Sequence, residues 1–213
     1  MSTESPSQWP ELFPQDDVPI IVQDVLDACK YLKSLPFGVK RPEEYLSRKI
    51  YAYLRFLPRY RSGPLEPHFE SPLPDLDGRT DIRFSCGKGI DTYFVFEAKR
   101  LFVTFPRGSQ DTLIKEYVDD GMMRFVSGKY APFQKSSAML GYVFDCDIII
   151  ARNAVSEHVR KSSQALCLET QLTPSKLPVI PPVDQTRHSL DEKRLFVIYH
   201  LFVKIPARKI PDV

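Results

Sequence analysis

The run Tyr93-Phe-Val-Phe-Glu-Ala-Lys99 constrains this chain more than any other segment. Four bulky apolar residues in succession read as part of a strand packed into a core. The same strand then carries Glu97 and Lys99. Two positions apart on an extended chain, they project from one face, roughly 6.5 Å apart along the strand. Phe94, Phe96 and Ala98 project from the other, into a core. A charged pair following such a run is costly to bury without partners, so other groups must share its surroundings.

Asp81 is the natural partner. Arg79–Ser85 and Thr92–Phe102 read as two strands, and the connector Cys86-Gly-Lys-Gly-Ile-Asp91 has two glycines that suit a hairpin. Pairing Phe84 with Thr92 puts Asp81 opposite Val95, on the face of Glu97 and Lys99. A slip of one residue would turn it to the other face. Two adjacent carboxylates repel unless a cation lies between them, and oxygen ligands suit Mg²⁺ or Mn²⁺. A lysine beside them can hold or help deprotonate a water and offset the charge of a phosphate. Two acids and a lysine around a divalent ion make a workable apparatus for attack of water on a phosphodiester. The competing reading is an exposed ion pair at a strand end, with Asp81 a turn residue.

The remaining segments supply the frame. A length of 213 residues suits one domain. Residues 1–17, rich in Ser, Pro, Gln and acids, read as a loose arm, and 18–213 as a single domain. Helices are expected from Val18 to a stop at Pro36 and Gly38, from Pro42 to Pro58, over Ser109–Gly128, and from Asp145 or Asp147 to about Ser163. In the third, Leu113, Ile114, Tyr117, Val118, Gly121, Met122, Phe125 and Val126 repeat in pairs every four residues. Prolines between 58 and 74 limit any strand there to a short edge piece. Ala138–Phe144 reads as a strand, 168–190 as a polar loop, and Leu195–Ile205 as a strand buried on both sides. The order predicts an α/β fold, a mixed central β-sheet flanked by helices.

Charge narrows the partners. Lys plus Arg is 29 and Asp plus Glu is 27, a net charge of +2, so any affinity for nucleic acid must come from how charge is distributed. Lys40–Arg61 is the most basic stretch, with Lys40, Arg41, Arg48, Lys49, Arg55, Arg59 and Arg61 against Glu43 and Glu44. It reads either as a solvated helix face or as a phosphate-facing surface. No run approaches 18 apolar residues, and the first residues lack the basic start and apolar stretch of a secretory signal. Cys29, Cys86, Cys146 and Cys167 are far apart and read as reduced thiols of a cytoplasmic protein. The four histidines form no zinc cluster, and no dinucleotide, P-loop or nucleophile-elbow motif occurs.

Asp81, followed sixteen positions later by Glu97-Ala98-Lys99 at the end of an apolar strand, resembles the PD-(D/E)XK nuclease superfamily. Thr80 stands where the literal motif has proline. The resemblance implies a restriction-endonuclease-like core, helix, three strands, helix, strand (αβββαβ), over Pro42–Phe144, with an extra C-terminal helix and strand. It implies that Asp81, Glu97 and the carbonyl of Ala98 hold Mg²⁺, with Mn²⁺ as a substitute, and that Lys99 positions the attacking water. Glu43 on the first core helix, with Glu44 its close competitor, would reach the metal directly or through water. Arg48, Lys49, Arg79, Arg100 and Arg124 would contact phosphates without reading bases. The implied protein is a cytoplasmic DNA endonuclease of a prokaryotic defence or restriction system, acting as a homodimer or with a partner protein of that system. Two alternatives stay open: a non-catalytic nucleic-acid-binding or assembly module on the same fold, and a nuclease for RNA or branched DNA.

Overall fold

The structure is a computed structural model and describes residues 13–34, 42–73, 76–87, 92–105, 108–132, 134–191 and 194–206. The strands are β1 (Leu65–Leu73), β2 (Leu76–Cys86), β3 (Tyr93–Leu101), β4 (Val103–Thr104), β5 (Gln110–Asp111), β6 (Ser136–Val143), β7 (Leu168–Pro174), β8 (Asp184–Asp191) and β9 (Arg194–Lys204). Among the described residues seven of them form one sheet in the order β1-β2-β3-β6-β9-β8-β7, while β4 and β5 pair separately. The central trio β3, β6 and β9 is parallel and both wings are antiparallel. This is the mixed, helix-flanked sheet that the element order predicts.

Helices α1 (Val18–Ser34), α2 (Glu43–Leu54) and α3 (Pro58–Ser62) cover one face. Helix α4 (residues 114–126) and α5 (Ile148–Lys161) cover the other. The apolar stripe of α1, Ile21, Val22, Val25, Cys29 and Leu32, packs in one core with Leu46 and Ile50 of α2 and with Phe94, Phe96 and Ala98 of β3. Val95, Met139 and Ile198 face the other core, built with Tyr117, Phe125 and Val155. β3 is thus apolar on both faces because it lies between two helical layers. Asp147 caps α5, its carboxylate accepting the Ile149 N–H at 2.7 Å. No described helix is long and apolar enough to cross a membrane.

Several details differ from the sequence expectations. The hairpin pairs Phe84 with Phe94, two residues from the expected register. A slip of two preserves which side chains share a face, so Asp81 stays with Glu97 and Lys99. β1 is nine residues long, and its prolines Pro67 and Pro72 are tolerated because it is the edge strand. Ser109 caps nothing. Gln110 and Asp111 pair with β4, and helix begins only at Ile114. Its middle, Glu116–Met122, is wound as a π-helix. Phe13 is buried against Phe94, its N–H donating to Gln134 Oε1, so the chain is docked before α1 begins. Residues 1–12, the Pro36–Gly38 helix stop, Lys40, Arg41 and the hairpin tip 88–91 lie outside the described residues.

The segment expected as a polar loop, 168–190, holds β7 and β8. The inward side chains of β8, Asp184, Thr186 and His188, are polar, which disguises that strand. Buried Thr186 and His188 of β8 join a hydrogen-bonded chain with Tyr117 and His200. The direction of that chain follows from its end. The Leu166 carbonyl can only accept, so His188 Nδ1–H donates to it at 2.8 Å and leaves Nε2 as an acceptor. Thr186 donates to that nitrogen at 2.7 Å and accepts from His200 Nε2–H at 2.9 Å. Tyr117 then donates to His200 Nδ1 at 3.0 Å. Every polar atom in the chain is used with both imidazoles neutral, and burial holds His200 down to about 3.

Gly141 of β6 sits where α4 meets the sheet. A Cβ there would lie 2.8 Å from Leu101 Cδ1, 3.2 Å from Phe202 and 3.3 Å from the Tyr117 ring. Gly141→Ala is expected to lower stability by about 1–3 kcal/mol through overpacking. Chemical denaturation of the two proteins checks this, and an unchanged midpoint would show that α4 does not sit this close.

Candidate active site

Glu97 and Lys99 leave β3 toward α4 and are buried together. Glu97 Oε1 lies 2.9 Å from Lys99 Nζ and 3.0 Å from Arg124 Nη1. Asp120 Oδ2 lies 3.0 Å from Lys99 Nζ and 3.0 Å from Arg124 Nη2. Two acids and two cations therefore alternate around one ring of ion pairs. Arg124 also donates to Tyr130 Oη at 2.7 Å and stacks over that ring at 5.4 Å. The approach of α4 makes this possible. At Gly121 a Cβ would lie 2.5 Å from Met139 Cε, so the helix rests on β6 at the position beside Glu97.

Asp81 approaches from β2. Its Oδ2 accepts the Ala98 N–H at 2.7 Å, which fixes the carboxyl beside the strand segment that carries Glu97 and Lys99. Glu43, the first residue of α2, completes the group. Its Oε2 lies 3.4 Å from the Arg100 amide nitrogen and 3.8 Å from Arg100 Nε. Glu44 turns away, exposed and paired with Arg48 at 2.7 Å.

The electrostatics separate a compensated acid from an uncompensated one. Burial, then the charge of Glu97, pushes the Asp81 carboxyl well above the usual aspartate range, and Glu43 adds to the push. The Ala98 N–H and Lys99 oppose it without prevailing. Burial also raises Glu97, against the pull of Lys99 and Arg124. Burial alone would lower Lys99, but Glu97 and Asp120 outweigh it and hold the ammonium above its usual range. Lys99 is therefore a fixed cation and not a base.

A hard divalent cation fits these donors. Glu97 Oε2 is buried with no hydrogen-bond partner, and Asp81 faces two other carboxylates with too little positive charge nearby. Oxygen donors with this surplus of negative charge are what Mg²⁺ or Mn²⁺ takes. Among the described residues, no three Asp, Glu, His or Cys side chains already converge as ligands of one ion.

The structure places Asp81, Glu97, Lys99 and Glu43 around the Glu97–Arg100 segment of β3. The expected phosphate contacts are dispersed. Arg124 lies within the Glu97 ion pairs and not on an open basic face. Arg100 stands beside Glu43 and over the Phe105 ring. Lys49 lies over the Tyr45 ring, and Arg48 is exposed. The Arg79 side chain is outside the described residues. Sequence reading misses Asp120 and Tyr130. Asp120 carried a signal, standing four residues before Arg124 on a helix; Tyr130 carried none. The chain matches no known protein family, no curated protein and no solved structure.

A pH signature follows. The folded chain holds the Asp81 proton more tightly than the unfolded chain does. Its contribution to stability is full below the ordinary aspartate range and is lost as pH rises through the raised value. With chelator present, Asp81→Asn keeps an acceptor for the Ala98 N–H and removes this loss. Thermal melts are expected to show the variant more stable than the parent at pH 7, by about 1 kcal/mol, with the two converging near pH 4. A variant less stable at pH 7 contradicts the reading.

Proposed function

We propose that this chain is a metal-dependent hydrolase of nucleic-acid phosphodiesters, a DNA endonuclease of the PD-(D/E)XK type. The observation that carries this reading is the meeting of Asp81, Glu97 and Lys99 on one face of two paired strands, with Glu43 alongside. Asp81, Glu97 and the Ala98 carbonyl would hold Mg²⁺, or Mn²⁺ in its place. Such an ion supplies positive charge against the anion building up on the phosphoryl group and makes water a competent nucleophile near neutral pH.

The protein groups act around it. Lys99, kept protonated by Glu97 and Asp120, donates a hydrogen bond to the incoming water and offsets charge on the phosphate. The Arg124 and Asp120 pair fixes the lysine, so the amine needs no reorganisation as charge develops. Glu43, at the mouth of the site beside Asp81, orients water or receives its proton. The water oxygen bonds to phosphorus as the bond to the 3′ oxygen breaks. A proton passes to that oxygen, leaving a 3′-hydroxyl and a 5′-phosphate. Arg100 and Arg48 are two of the described cations on the α2 side that would meet the backbone without reading bases. A prokaryotic defence role, a cytoplasmic setting and action as a homodimer or with a defence-system partner extend the proposal by analogy with the resembled family.

A second reading has one observation in its favour. Lys99 and Arg124 already neutralise Glu97 Oε1, as they would in a non-catalytic binding module that has no use for an ion. Cleavage decides between them. With Mg²⁺ or Mn²⁺ the chain is expected to nick or cut DNA, and Asp81→Asn, Glu97→Gln and Lys99→Met are each expected to slow it at least about 100-fold. Gel analysis of plasmid and of DNA and RNA oligonucleotides measures this. Binding without cleavage of any of them favours the module, and cleavage of RNA alone moves the substrate and keeps the chemistry.

A further inference from the structure

A second cleft lies away from the carboxylates. It has a volume of about 750 Å³, between the end of α2, α3 and the edge strand β1, and is lined by Tyr51, Arg55, Phe56, Arg61, Glu66 and His68 among others. That is within the range of about 300–1,000 Å³ typical of ligand pockets. Its walls are aromatic rings and guanidinium groups held face to face. Arg55 lies over Tyr51 at 5.7 Å and Arg61 over Phe56 at 5.8 Å, and outside the lining Arg48 lies over Phe69 at 5.3 Å. Tyr51 and Phe69 are themselves stacked, their centroids 5.9 Å apart. Phe56 is 72% exposed, so its ring contributes little to any core.

We infer that this cleft binds an unpaired stretch of nucleic-acid strand, a base stacked on the exposed ring of Phe56 and its phosphates on Arg55 and Arg61. Aromatic rings accept the flat face of any base, and guanidinium planes do the same while pairing with phosphate. A duplex keeps its bases stacked on one another and offers these rings nothing. An acidic peptide satisfies the arginines but leaves the rings exposed. Among the described residues Glu66 is the one acid in the lining, so the balance of charge favours an anion. Along α2 the cleft begins roughly 12 Å from Glu43, eight residues at about 1.5 Å each. The inference goes beyond the hydrolase reading and does not need it, because binding here requires no ion.

Fluorescence anisotropy with chelator present tests it, using labelled oligothymidylate of about 12 nucleotides, oligouridylate of the same length, a blunt DNA duplex and a polyglutamate peptide. The unpaired strands are expected to bind at least tenfold more tightly than duplex or peptide, and the two strands distinguish DNA from RNA as the source. Phe56→Ala is expected to weaken strand binding about tenfold, with an unchanged melting temperature. Arg55→Gln with Arg61→Gln is expected to flatten the logarithmic salt dependence by about 1.4, two phosphate contacts at about 0.7 each. Equal affinity for duplex or peptide overturns the inference, as does a Phe56→Ala variant that binds unchanged. If the parent cuts DNA and Phe56→Ala binds and cuts equally well, only this inference falls. If the parent binds unpaired strand by way of Phe56 and cuts nothing, only the hydrolase reading falls.

Discussion

Glu97 is a carboxylate buried in the middle of a sheet, and the arrangement around it follows from that fact. Removing such a charge from water costs several kcal/mol unless opposite charges and hydrogen bonds replace the solvent. Lys99 supplies one cation from the same strand, but an intrastrand pair alone leaves the lysine's other protons and the carboxylate's remaining lone pairs unmet. Arg124 and Asp120 close the ring from α4. The helix comes close to β6 where Gly121 of α4 and Gly141 of β6 lie, positions at which a Cβ would press on the ends of Met139 and Leu101. Charge burial on β3 and small residues at the helix contact are therefore one constraint seen from two elements.

That ring divides the carboxylates into two kinds. Glu97 and Asp120 have cations within 3.0 Å. Asp81 has one backbone N–H and faces Glu97 and Glu43. A site that left Asp81 ionised without help would lose stability with no return. The divalent ion we propose would be a remedy, since it would be shared by Asp81 and the free Glu97 Oε2. On that proposal, the stability lost by the ion-free chain would be an exchange between folding and function.

Much of this was legible in residues close together in sequence. The alternation along Tyr93–Lys99 shows which side chains share a face, and Asp81 joins them by parity alone. The hairpin register could thus be two residues off without harm to the site. The contributions of α4 were harder to see. Its apolar pairs every four residues predict the helix but not its π-wound middle, and that winding sets the direction in which Asp120 and Arg124 leave it. Tyr130 reaches Arg124 after a turn at Gly128 that no periodicity encodes. β7 and β8 were hidden for another reason. Thr186 and His188 face inward to complete a polar chain, so the usual alternation of apolar-in and polar-out is missing from β8.

The central claim is that Asp81 and Glu97 share one divalent cation. Calorimetric titration of Mn²⁺ into the metal-free protein tests it most directly, with Glu97→Gln and Asp81→Asn titrated alongside. The account predicts binding to the parent chain that either substitution abolishes, and that Asp120→Asn, outside the proposed ligand set, leaves in place. Binding that survives both Glu97→Gln and Asp81→Asn, or a parent chain that takes up no ion at all, would contradict it.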